Sequence, residues 1–526
     1  LNQQYILTVD LGTSGPKVSI FDKNCQFIAS EFEEMPPIHF YEGGGAEQNP
    51  NDWVRCIIKA LGRLKQNSLI DFKDIIAINC TAQWSGTLPL DASGNPLMDC
   101  MIWMDSRGAG EAKKLMSGFP EIEGYNIRKL YKWISITGGG ASKSGKDSIS
   151  HILWLKAHKP DIYKSTYKFI EPKDYLNYFF TGKIASSFDS ATVLWLTDNR
   201  NLNDVKYHED LIRISGIDRE KLPDLVPTNS ELGFIKENFV NEFGFSPHTK
   251  VISGTPDIQS AAVGSGAAGD YEPHLYIGTS SWLVFHMPHK KTDLFHNMGT
   301  IPSAIPGKYL LVNEQETTGA CLNFMKNSIL YANDEIGQLK APDNFYQLAD
   351  KLVAKIPAGA DGLMFLPWLY GERSPVDDHY LRGGFYNLGL NHSRGHMLRA
   401  IYEGVALNIK WLLFYAQKLA GRKFESVNFI GGGANSEIWS QILADVLGIP
   451  VKQTVDPLLA NSRGAALLAL LSLNLIRLEE LNKTVSIRKT FEPNPSNRVM
   501  YEKRFGIFKE IYKKNKAIHY QLNKNK

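Results

Sequence analysis

A short phrase is spelled twice in this chain, Leu11-Gly12-Thr13-Ser14 and Ile277-Gly278-Thr279-Ser280, and each copy follows an apolar run of strand length. The pattern predicts strands over 5–9 and 274–277. Each runs into a tight glycine turn with two hydroxyls at its tip. Glycine lets the backbone come close to a ligand, and successive N–H groups with hydroxyls form an anion-binding concavity. The copies lie far apart in sequence, which points to a pair of related domains facing each other. A polyphosphate held between the two turns is the expected ligand.

At 526 residues the chain is too long for one hydrophobic core. No apolar run is long enough to span a membrane, and the longest candidate, 465–476, is broken by Ser472 and Asn474 and reads as a buried helix. A formal charge of +3 is small for this length and speaks against a nucleic-acid partner. Five cysteines (Cys25, Cys56, Cys80, Cys100, Cys321) show no paired spacing, which fits a reducing cytoplasm. The first residues carry no basic-then-apolar signal pattern. A cytoplasmic enzyme, with no membrane and no nucleic acid among its partners, is the expectation; a homodimer is compatible with it.

Strands are predicted over 5–9, 17–21 and 26–32, with Asp22-Lys23-Asn24 turning the last pair. A helix over 53–64 places Trp53, Ile57, Leu61 and Leu64 on one face, and an apolar strand follows at 75–79. The second half repeats the theme. Strands are predicted at 274–277, 282–286 and 309–312, and a helix over 397–419 carries Met397, Ile401, Val405, Ile409 and Leu412 on one stripe. Strand 427–430, helix 437–447 and strand 450–453 complete the pattern. The fold class this implies is α/β, with mixed sheets flanked by helices and a cleft between two domains. The boundary falls in the Gly- and Ala-dense stretch 254–269.

Four places can carry chemistry. In Asp10-Leu-Gly-Thr-Ser-Gly-Pro-Lys17, the carboxylate of Asp10 ends a strand where it can reach a phosphate-bound Mg²⁺, and Lys17 can neutralise phosphate; an ordinary turn is the plainer alternative. In Gly254-Thr-Pro-Asp-Ile-Gln, Asp257 stands at a strand-to-helix junction, as a general base for a hydroxyl or as a simple helix cap. In Gly431-Gly-Gly-Ala-Asn435, three glycines permit a flat ring to lie on bare backbone, or make a tight turn. The fourth is Gln83-Trp84-Ser85 with Trp103-Met-Asp105-Ser-Arg107, which offers hydrogen bonds and an indole face to a polyhydroxy ligand. Its alternatives are buried structural Trp and a surface Asp–Arg pair. Two decoys fail on context. Gly140-Ala-Ser-Lys-Ser-Gly-Lys-Asp147, with 133–137 as a leading strand, nearly spells a phosphate loop, but Asp147 replaces the Ser or Thr that should bind Mg²⁺. Gly264-Ser-Gly-Ala-Ala-Gly269 ends a helix instead of opening one.

Over nearly its whole length the chain resembles the FGGY carbohydrate kinases. Gly383-Gly-Phe385 through Leu388, with His396-Met-Leu-Arg-Ala-Ile-Tyr-Glu403, is similar to the family's C-terminal signature, with Asn387 where Gly is expected. Ser148 through Lys156 is similar to the other signature, with His151 where Lys is usual. Leu366-Pro-Trp-Leu-Tyr-Gly-Glu-Arg-Ser-Pro375 and Gly431–Trp439 place it nearest the branch that phosphorylates xylulose. The resemblance implies two actin-like ATPase (ribonuclease H-like) domains, 1–262 for sugar and the first phosphate loop and 263–526 for ATP. It implies ATP and Mg²⁺ as cofactors and a small sugar or polyol as acceptor, most simply D-xylulose; the alternatives are another pentulose or polyol as acceptor, or a non-catalytic nucleotide-dependent sugar sensor on the same two-domain clamp. Asp257 would be the base, and with Asp10 would hold Mg²⁺. Gly12, Thr13, Ser14, Lys17, Gly278, Thr279 and Ser280 would bind phosphates, Gly432, Gly433 and Asn435 the adenosine, and Gln83, Trp84, Ser85, Asp105, Arg107 and Asp257 the sugar. Two positions depart from the branch: Trp84-Ser85 stands where Met-His is typical, and Ile258 where Asn often follows the base.

Overall fold

A computed structural model describes residues 3–122, 124–337 and 340–524. The first half is built on a six-stranded sheet of β1 (Tyr5–Gly12), β2 (Gly15–Asp22), β3 (Phe27–Phe32), β4 (Ile75–Ala82), β5 (Glu231–Phe234) and β6 (Lys250–Pro256), in the order β5-β6-β4-β1-β2-β3. The second is built on an eight-stranded sheet of β7 (Pro273–Ile277), β8 (Ser281–Met287), β9 (Thr292–Asp293), β10 (Met298–Pro302), β11 (Tyr309–Val312), β12 (Val427–Ile430), β13 (Val451–Thr454) and β14 (Ile487–Phe491), in the order β14-β13-β12-β7-β8-β11-β10-β9. The two orders superimpose. In each sheet the first strand pairs antiparallel with its hairpin partner and parallel with a strand returning from a crossover. The echo in the sequence is thus an echo in topology.

Eight helices position the sheets and the cleft: α1 (Pro50–Gln66), α2 (Ile127–Thr137), α3 (Ser148–His158), α4 (Pro172–Thr181), α5 (Asp257–Gly264), α6 (Arg394–Ala420), α7 (Glu437–Leu447) and α8 (Ala460–Ser472). The side chain of Asn49 caps α1 by accepting from Asn51 N, and Pro50 opens its first turn, so the helix starts three residues before the apolar periodicity does. β1 and β4 likewise outrun their apolar cores, because polar Asp10 still pairs with Lys17 on one side and Thr81 on the other. The expected strand over 133–137 is the last turn of α2, and Asp147 caps α3, which disposes of the phosphate-loop lookalike.

β1 buries both faces, as a central strand of a mixed sheet must. Leu7 and Val9 pack on one side with Trp53, Ile57 and Leu61 of α1. Ile6 points the other way and packs with Ala77, Ile252 and the α8 residues Ala466 and Leu470. A helix from the second half therefore covers a face of the first sheet. It also crosses α5 at backbone distance: a Cβ on Gly264 would fall 1.8 Å from the Ala460 carbonyl oxygen, and one on Gly464 1.8 Å from that of Ser260. Among the described residues no helix is long and apolar enough to cross a membrane.

Candidate active site

Both repeated turns lie where β1 and β7 end. Gly12 pairs with Gly15, so Thr13 and Ser14 form a two-residue hairpin turn. Neither of their amides reaches a backbone acceptor among the described residues, and the same holds for Thr279 and Ser280. The amide of Gly278 differs: it donates to the Ser280 carbonyl at 2.9 Å, so it is not available to a phosphate. The two turns thus offer two pairs of N–H donors, a nest for an anion at the head of each sheet. Lys17 donates to the Leu458 carbonyl at 2.9 Å, across the two halves, and its charge faces Asp10.

β6 carries Asp257 into the site through a bulge. Its register against β4 shifts between Ile252 and Thr255, and Gly254 adopts φ +69°, with the Cys80 carbonyl 2.3 Å and the Lys173 side chain 2.7 Å from where a Cβ would sit. The Ser253 carbonyl, turned out of the ladder, accepts from Lys173 Nζ at 2.8 Å and Asn177 Nδ2 at 2.6 Å, both on α4. The Thr255 hydroxyl donates to buried Asp189. α5 then begins at Asp257, whose Oδ1 accepts from Ile258 N at 2.8 Å. Pro256 holds the cap position and Asp257 is the first helical residue, so its carboxylate does not cap the helix, and Oδ2 bonds to no described residue. Burial, and then the negative charge of Asp10, push its pKa up to about 7. Asp10 is raised as well, by burial offset by Lys17 and Asn461.

No cluster of three His, Cys, Asp or Glu side chains suited to a metal occurs among the described residues. Two carboxylates close enough to perturb one another are still a set of hard oxygens, and they fit an Mg²⁺ that keeps water and phosphate as its other ligands. Such an ion, when bound, supplies positive charge against the phosphate oxygens.

On the first-half side Gln83, among the expected sugar residues, is tied to the Gly12 turn, while Asp105, Arg107 and Trp84 are bonded elsewhere. The Thr13 hydroxyl donates to Gln83 Oε1 at 3.3 Å and accepts from Trp103 Nε1 at 3.0 Å. Gln83 Nε2 donates to Gln48 Oε1 at 2.7 Å, and Gln48 Nε2 to the Thr13 carbonyl at 2.8 Å. Asp105 is fully buried, not part of a surface pair. Its carboxylate accepts from Ala46 N at 2.9 Å and from Arg107, whose guanidinium also pairs with Glu47 and lies 4.3 Å over the Trp154 ring. Both charges are spent on each other, so they stiffen the wall and present no free charge to a ligand. Ser85 takes φ +63° at the turn after Gln83. Trp84, Trp195, Trp282 and Ile258 pack around Ala262 and Val284. The three indole N–H groups are turned to Ser190 O, Asp147 Oδ2 and His274 Nε2.

The third glycine turn is a short 3-10 helix, Gly432–Asn435. Gly431 has φ +85° and would place a Cβ 2.6 Å from the Ile277 carbonyl, and one on Gly433 would fall 2.7 Å from the Ile277 side chain. These two are glycine because they pack on β7. Gly432 alone opens onto free space, so the bare-backbone platform expected of three residues is offered by one.

Gln48, Glu47, Lys173 and Tyr276 join the site without a motif to announce them. Only the position of Tyr276, just ahead of the second copy of the repeated phrase, was a signal that could have found it.

Two lobes of one strand order, with phosphate-ready turns at the head of each sheet and a near-neutral carboxyl between them, make up a phosphotransferase of the actin-like ATPase fold. Residues 5–264 match the N-terminal domain, and 275–473 the C-terminal domain, of the FGGY family of carbohydrate kinases, and the chain belongs to that family. It is a sugar kinase, and its family implies use of ATP. It is 27% identical over 525 residues to a xylulose kinase of Staphylococcus epidermidis, with 98% of both chains covered. Its fold is similar to that of a gluconate kinase from Lactobacillus acidophilus (TM-score 0.85, 25% identity, 99% of this chain and 100% of that one). It is as similar to a ligand-bound xylulose kinase from the same organism (TM-score 0.84, 25% identity, the same coverage).

Proposed function

We propose that this kinase transfers the γ-phosphoryl group of Mg·ATP to a hydroxyl of D-xylulose, giving D-xylulose 5-phosphate and ADP. The observation that carries the mechanism is Asp257, a carboxyl pushed up to about 7 at the end of a clamped strand. Its free oxygen accepts the proton of the attacking hydroxyl as the new O–P bond forms and the bond from phosphorus to the β-phosphate oxygen breaks. The amides of Thr13, Ser14, Thr279 and Ser280 hold the phosphate chain in line. Gln83, Trp84 and Ser85 meet the sugar, Asp105 and Arg107 brace that wall, and Gly432 and Asn435 take the adenosine side. The lobes are taken as 1–262 and 263–526.

The acceptor is read as neutral because the cation of that wall, Arg107, is already spent on Asp105 and Glu47. The equal likeness to a gluconate kinase favours a second reading, another polyhydroxy acceptor, on the same mechanism. The test is ADP release from Mg·ATP across D-xylulose, other ketopentoses, D-gluconate and simple polyols, with Asp257→Asn alongside. Saturable turnover on D-xylulose that is lost in the variant is the expected result. Turnover only on D-gluconate overturns the choice of acceptor, and undiminished turnover in Asp257→Asn overturns the mechanism.

A further inference from the structure

Tyr276 stands in the second half where Asp10 stands in the first. Each lies two residues before the glycine of the repeated turn, near the end of the first strand of its sheet. Asp10 lies opposite Lys17 on β2, and Tyr276 opposite Trp282 on β8. The topological duplication therefore aims both side chains at the cleft, one from each wall.

The phenol is held firmly. Its ring stacks on Trp282 with centroids 3.9 Å apart and planes 9° from parallel, and Trp282 is itself anchored by Nε1 donating to His274 Nε2 at 3.1 Å. A Cβ on Gly278 would fall 2.3 Å from the Tyr276 hydroxyl oxygen, and one on Gly431 2.9 Å from the ring. The side chain thus lies between the phosphate turn and the adenosine turn, and its bulk is one reason why both positions are glycine. Its hydroxyl makes no hydrogen bond to a described residue. Burial first, and then the charges of Asp257 and Asp10, raise its pKa to about 12, so it keeps its proton throughout the neutral range.

We propose that Tyr276 is a catalytic residue of this kinase, its hydroxyl donating a hydrogen bond to a β- or γ-phosphate oxygen of the nucleotide held at the Gly278 turn. This rests on the reading of that turn as a phosphate site. A neutral donor aimed at phosphate adds stabilisation without adding a cation beside Asp10 and Asp257. It also makes good a deficit, because the Gly278 amide is spent on the Ser280 carbonyl.

Tyr276→Phe removes the hydroxyl and keeps both the stack on Trp282 and the contact with Gly278. The expected result is a fall of about 10- to 100-fold in kcat/KM for ATP. The non-hydrolysable analogue AMP-PNP should bind more weakly, while AMP, which lacks those phosphates, keeps its affinity. Wild-type kcat/KM together with wild-type AMP-PNP affinity overturns the proposal. Equal losses for AMP and AMP-PNP overturn it too, since the substitution would then have disturbed the adenosine side. The underlying site reading fails separately: Asp257→Asn must lose turnover while still binding AMP-PNP, and if it turns over normally the site is misassigned whatever Tyr276→Phe does.

Discussion

The two glycine turns share a phrase, a strand order and a place in their sheets, yet their surroundings have diverged. Around Gly12 the side chains are tied into a polar net: Thr13 to Gln83 and Trp103, and Gln48 to both Thr13 and Gln83. Around Gly278 the neighbours are a stacked Tyr276–Trp282 pair and a second glycine turn, and Thr279 is exposed with no hydrogen bond from its hydroxyl to a described residue. Both turns offer the same backbone donors, which the proposed mechanism gives to phosphate, while their side chains differ. In that reading the polar side chains around the first turn face the polyhydroxy acceptor, and the rings and bare backbone around the second face the nucleotide. The proposed base, Asp257, belongs to neither turn. It arrives on β6, whose bulge has no counterpart in the register of β13 against β12.

The comparison breaks most completely where the halves touch. Gly264→Ala drives a methyl group into the Ala460 carbonyl, a backbone atom that cannot swing away, and should cost on the order of 3 kcal/mol of stability. Gly432→Ala meets open space and should leave the melting temperature unchanged, as thermal unfolding of the pair would show. A smaller effect is expected where only the first half clamps the base. Asn177→Leu removes the 2.6 Å bond to the Ser253 carbonyl and should lower kcat about tenfold. In steady-state kinetics the KM values for sugar and ATP should hold, since Asn177 acts on Asp257 only through the Ser253 carbonyl. If KM rises and kcat stays, the clamp positions something other than Asp257.

Much of the fold was legible because its signals are local. β11, β12 and α7 follow from apolar runs bounded by turn residues, and the repeated phrase anticipated the shared strand order. The misreadings have physical reasons. The stretch 133–137 is apolar enough for a strand, but Asn126 caps a helix that runs through it. The three glycines at 431–433 look alike in sequence, yet two are small to pack on β7 and one is open. Asp105 and Arg107 were visible as a pair, but nothing local reveals that Glu47, from a distant strand, completes their charge. The β6 bulge was hidden for the same reason: Lys173 and Asn177 reach Ser253 only once α4 has packed beneath the sheet.

The division of labour between the turns is tested most directly by KM values for both ligands in Thr13→Val and Thr279→Val, measured in one coupled assay of ADP release. Thr13→Val breaks the net with Gln83 and Trp103 and should raise the KM for sugar about tenfold while leaving that for ATP near wild type. Thr279→Val should do the reverse. A crossed pattern supports a division of the side chains between the two ligands, with the backbone donors of both turns left to phosphate; a rise in the same KM in both variants would contradict it.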